Sequence, residues 1–137
     1  MIRISYSDKP FHELNLEGSN LELSQLQSDI DRFCGAAEPS IEFAADSDFD
    51  PHPYTHRLSR LRLSKSIDKL LVAVQHDCLM ISGRPDLLEL FATNLPYDAQ
   101  HTSTVPYHVH FQHLGCEDYI SEQSLDIILS LAKQLLT

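Results

Sequence analysis

The sequence predicts a two-layer α+β sandwich, a mostly antiparallel sheet with three helices packed on one face, in the order β-α-β-β-β-α-β-α. Three observations carry that prediction. Ile2, Ile4 and Tyr6 alternate with polar neighbours, closely spaced strand-like runs fill residues 57–82, and apolar residues recur at helical spacing after Ser19, Pro85 and Ser121. The 137 residues make one ordinary domain, 1–137, large enough to build a core without metal or disulfide staples.

The first strand covers residues 2–6. A helix follows, because Ser19 and Glu22 form an S-x-x-E capping box ahead of Leu23, Leu26, Ile30 and Phe33, and Gly35 stops it. Residues 36–56 change character, with Pro39, Pro51 and Pro53 set among Glu38, Glu42, Asp46, Asp48 and Asp50, leaving a short extended piece at 41–43. Three strand runs come next: 57–63 with Leu61 and Leu63 on one face, 67–75 with Leu70, Val72 and Val74, and 78–82. Their connectors, Ser64-Lys65-Ser66 and His76-Asp77, are too short for a crossover, so an antiparallel meander is expected.

Pro85 opens the second helix as a favoured first-turn residue, Asp86 complements its dipole, and Leu87, Leu88, Phe91 and Leu95 form its buried stripe before Pro96. Arg84 is a poor cap. A further strand over 105–113 alternates Val109 and Phe111 with His108 and His110. The last helix is expected from Ser121, carrying Leu125, Ile128, Leu129, Ala132, Leu135 and Leu136.

Twenty acidic side chains against 10 Lys and Arg give a net charge of −10. A nucleic-acid or anionic-membrane binder needs a cationic footprint, so the balance excludes those partners and favours a basic one. No run of eighteen apolar residues is present, which excludes a membrane-spanning helix. The charges and Pro10 at the N-terminus do not read as an export signal. Cys34, Cys78 and Cys116 are odd in number, widely spaced and without a C-x-x-C pair, as expected of a reduced, cytoplasmic protein.

Of eight histidines, His108 and His110 lie two apart on a strand and so project from one face. With His52, His56 or Cys116 they would offer imidazole and thiolate ligands to zinc. No compact H-E-x-x-H fixes such a set, and solvent-facing histidines are the plainer reading. Asp46-Ser47-Asp48-Phe49-Asp50 imitates the start of a calcium loop, but Pro51 and Arg57 stand where the loop needs Gly and a bidentate Glu, which rejects an EF-hand. The stretch reads either as a solvated acidic loop or as an interaction surface. A Cys116 nucleophile served by His108, His110 or His113 finds no supporting elbow, P-loop or dinucleotide fingerprint, and no cofactor is implied.

The segments Leu61-Arg62-Leu63, Leu70-Leu71-Val72-Ala73-Val74, Leu79-Met80-Ile81-Ser82-Gly83 and Asp86-Leu87-Leu88-Glu89-Leu90 resemble the immunity protein 32 family. So do His108-Val109-His110-Phe111, Gly115, Tyr119-Ile120 and Ser124-Leu125, in the same order. The likeness spans residues 57–137, with a weaker match at the first strand and helix. Residues 36–56 depart from the family pattern. The resemblance implies a cytoplasmic bacterial protein that binds and neutralises a cognate toxin and has no catalysis of its own. Charge agrees with a basic toxin, for which Glu38, Glu42, Asp46, Asp48 and Asp50 are the expected contact residues. Two alternatives belong to other classes: a metal-binding module or small metal-dependent enzyme at His108 and His110, and a homodimeric scaffold built on the sheet's uncovered face.

Overall fold

The computed structural model describes residues 1–8, 11–97, 107–113 and 118–132. Strands β1 (Arg3–Ser7) and β2 (Glu13–Gly18) form an antiparallel hairpin that places Ile4 beside Leu16 and Tyr6 beside Leu14. The sequence reading passed over β2, although Leu14 and Leu16 alternate there with Glu13, Asn15 and Glu17. Gly18 ends the strand at a tight junction, where a Cβ would stand 3.0 Å from Leu23 Cδ2.

Helix α1 (Asn20–Gly35) begins at the expected capping box. The Glu22 N–H donates to Ser19 Oγ at 3.1 Å, and the Ser19 N–H donates to Glu22 Oε1 at 2.9 Å. Its buried face is Leu23, Leu26, Ile30 and Phe33, the stripe read from the sequence. β3 (Ser40–Ala44) contains the extended piece expected at 41–43. Helix α2 (Pro85–Thr93) also starts where Pro85 placed it, and Arg84 makes no side-chain cap. Its guanidinium holds Asp86 instead, at 3.2 Å. The two helices pack against each other.

Three expectations are corrected. The run over 57–63 is two strands, because the chain bends at Ser59 out of one sheet and into another: β4 (His56–Leu58) pairs with β1, whereas β5 (Arg60–Lys65) pairs with β3. Nor do the three runs make a meander. β6 (Leu71–Gln75) and β7 (Cys78–Gly83) form the expected hairpin, turned at His76 with φ 57°, but β7 then lies parallel to β5 and between it and β6. Leu79 and Ile81 are fully buried, and the central position gives β7 a backbone partner on both edges.

The expected third helix is strand β9 (Ile127–Leu131), inserted parallel to β2 and antiparallel to β8 (Tyr107–Phe111). Its residues fit both periods. The slot between two strands satisfies the β9 backbone on both sides, buries Ile127, Leu129 and Leu131, and leaves Ile128 and Ser130 on the opposite face. Leu135 and Leu136 lie outside the described residues.

There are therefore two mixed sheets and, among the described residues, two helices. The first sheet runs β4-β1-β2-β9-β8 and the second β3-β5-β7-β6. Their inner faces and both helices share one continuous apolar core, from Ile4, Leu16 and Leu129 through Leu61 and Ile81 to Phe91. The outer face of the first sheet is polar, and it carries the residues of functional interest.

Candidate functional site

Strand register fixes that face. Residues paired across neighbouring strands point to the same side, so one row runs His108, Ser130, Glu17, Arg3 and the next runs His110, Ile128, Asn15, Ser5, Arg57. Glu13, opposite Ser7, extends it. Ser130 Oγ donates to Asn15 Oδ1 at 2.6 Å, tying β9 to β2 on this side.

The acidic, proline-bearing loop that follows β3 folds back over the β4–β1 end of this face. Arg3 anchors it from the sheet, with Nε 3.5 Å from Asp46 Oδ2 and its guanidinium 5.6 Å from the centre of the Phe49 ring. Arg57 Nη1 donates to the Phe49 carbonyl at 3.1 Å, and the Thr55 N–H donates to Ser7 Oγ at 3.1 Å. Within the loop, Asp46 and Asp50 accept from the N–H groups two residues on, Asp48 at 2.9 Å and His52 at 3.0 Å. Such Asx turns explain why aspartates recur at this spacing. Packing of the loop leaves Ser5 and Ser7 only 6% and 7% exposed, although both belong to the sheet's outer side. Between loop and sheet lies a cleft of about 240 Å³.

The predicted contact acids are thus divided between two places. Asp46, Asp48 and Asp50 stand together on the loop, Asp46 partly buried against Arg3 and the other two exposed. Glu42 lies on β3 in the second sheet, 3.5 Å from Arg60, and Glu38 lines a groove beside α1 with Phe33 and Ile41. What the sequence reading missed is that Glu13 and Glu17 of β2 join the aspartates. Their alternation with Leu14 and Leu16 was the available signal.

Tyr54 reports the field there. Burial raises its phenol above the ordinary value, and Glu13 and then Glu17 raise it further.

His108 and His110 project together from β8 as expected, both exposed, with ring centroids 5.3 Å apart. Among the described residues no three His, Cys, Asp or Glu side chains are gathered to hold a metal. His56 points elsewhere, stacking on Tyr6 at 6.2 Å, and Cys116 lies outside the described residues. No helix among the described residues is long and apolar enough to cross a membrane. Comparison with protein-family models, curated proteins and solved structures gives no match. The site offers carboxylates, hydroxyls and the aromatic side chains of Phe49 and Tyr54 on the outer side of a five-stranded sheet, a chemistry suited to holding cationic side chains.

Proposed function

We propose that this chain is an immunity protein, which neutralises a basic toxin by covering it with the outer face of the first sheet. The observation that carries the reading is the union of two separate acidic segments: Asp48 and Asp50 of the loop and Glu13 and Glu17 of β2 converge on one side of the molecule. Arg3 and Arg57 reach the loop, and both are engaged there: Arg3 with Asp46 and Phe49, Arg57 with the Phe49 carbonyl. A net charge of −10 adds a long-range field of the same sign. Such a field steers a basic partner and raises its rate of encounter. The resemblance read from the sequence over residues 57–137 points to the same class of function, although no family model matches the chain.

Co-expression with the product of the neighbouring large gene, followed by affinity co-purification, tests the reading. Asp48→Lys is the informative variant, because Asp46 holds the loop through Arg3 and Asp50 closes a turn on the His52 N–H. Its association rate should fall by about tenfold at low salt with little change in Tm. The wild-type rate should itself fall as salt approaches 0.15 M, where the screening length is about 8 Å. Unchanged association kinetics would remove this face from the interface.

A further inference from the structure

Ser5 is the residue of this face that the fold itself does not explain. It sits mid-strand in β1, 6% exposed, and lines the cleft beneath the loop. Ser7, two residues on, accepts the Thr55 N–H, yet the Ser5 hydroxyl has no partner among the described residues. No side-chain oxygen or nitrogen is sealed from solvent without a bond among the described residues, so the Ser5 hydroxyl opens into the cleft. A hydroxyl held there without a partner from its own chain is available to a group that enters the cleft.

The rest of the cleft says what enters. Glu17 lines it from the sheet, Asp50 lines it from the loop, and Tyr54 and Phe49 line it as well. Asp50 Oδ1 is taken by the His52 N–H, which leaves Oδ2 for an incoming donor. Asn15 borders the floor with its Oδ1 already committed to Ser130. Arg3 also lines the cleft, and its charge is matched by Asp46.

We propose that this cleft is a receptor for one arginine side chain of the partner protein, its guanidinium held by Ser5, Glu17 and Asp50 and flanked by Tyr54. A guanidinium carries five donors in a plane, so it can serve acceptors from both the sheet and the loop while stacking on an aromatic ring. A lysine ammonium has three donors and no plane. The space of about 240 Å³ suits a side-chain tip rather than a whole ligand. Burial first, and then Glu13 and Glu17, raise the Tyr54 phenol, in keeping with carboxylates close to this part of the cleft. The inference rests on the partner-binding reading for its biological meaning, but the cleft can be tested without any toxin.

The test is an NMR titration of the whole protein with N-acetyl-arginine amide, using the neutral N-acetyl-citrulline amide and the N-acetyl-lysine amide as comparison probes. Saturable shifts centred on Ser5, Asn15, Glu17 and Tyr54 are expected for the arginine probe alone. Glu17→Gln and Ser5→Ala should each weaken that binding, Glu17→Gln by about tenfold, as expected when a charge-assisted hydrogen bond is lost. Should the lysine or citrulline probe bind equally well, the assignment to arginine is wrong. Shifts scattered over the acidic surface and insensitive to both substitutions would mean diffuse counter-ion attraction and no receptor. Arginine binding in the cleft together with no capture of the co-expressed toxin would leave the cleft standing and overturn the immunity reading.

Discussion

Truncating Leu129 to Ala, compared with a change at the adjacent Ile128, separates a strand from a helix at the C-terminal segment. Leu129 is fully buried at the centre of β9, opposite Leu16 on β2 and Val109 on β8. Removing its isopropyl group forfeits transfer free energy and leaves a cavity between two paired strands that cannot close independently, a loss of about 2 to 5 kcal/mol. Taking about 3 kcal/mol, and an unfolding entropy of about 2.1 cal/mol/K for each of the 137 residues, Tm should fall by about 10 °C. Ile128 faces the opposite way, half-buried on the outer side. Ile128→Thr keeps β-branching and should cost well under half as much. A helix would bury both residues on one stripe and make both changes severe. Thermal and urea denaturation measure the pair, and equal losses, or no loss at Leu129, would refute the strand assignment.

Three further outcomes follow from the structure. Ser19→Ala, which deletes the α1 cap, should cost about 1 kcal/mol by urea denaturation. Glu22→Gln should show a pH signature: although burial alone raises its carboxyl, the Met1 amine and the Ser19 N–H outweigh that and hold it below 4.5, so its stabilisation is present above that pH and is lost as acid protonates it. Variant and wild type should converge in stability at low pH and separate near neutrality. The Cys34 thiol is pushed up to about 11, first by burial and then by Glu89, so its alkylation, followed by mass spectrometry, should stay slow at pH 8 and accelerate only in strong base.

Local signals were read correctly wherever one element answered to one rule. The Ser19–Glu22 box, Pro85 at the start of α2 and the His76-Asp77 turn each encode a local geometry in adjacent residues, and the structure has all three. Topology was less legible. Whether residues 127–131 become helix or strand is decided by the vacancy between β2 and β8, which no window around Leu129 contains. The same holds at Ser59, where an unbroken strand pattern is divided because each half finds its partner in a different sheet. At the candidate site, the aspartates were visible as a cluster, but their junction with Glu13 and Glu17 depends on the loop folding back over the β4–β1 end of the sheet. His108 and His110 were placed on one face by the two-residue period alone, which needs no tertiary information.

The bond between Ser130 and Asn15 joins residues 115 apart in sequence. During synthesis from the N-terminus, the β1–β2 hairpin therefore emerges long before the strand that completes its sheet. Until β9 arrives, β2 keeps one side of its backbone unpaired and Leu14 and Leu16 only partly covered, the arrangement that invites adhesion between nascent chains. Glu13 and Glu17, which flank those leucines, put like charges along the waiting edge of every copy. Repulsion between those carboxylates opposes pairing of one waiting β2 edge with another until β9 closes it.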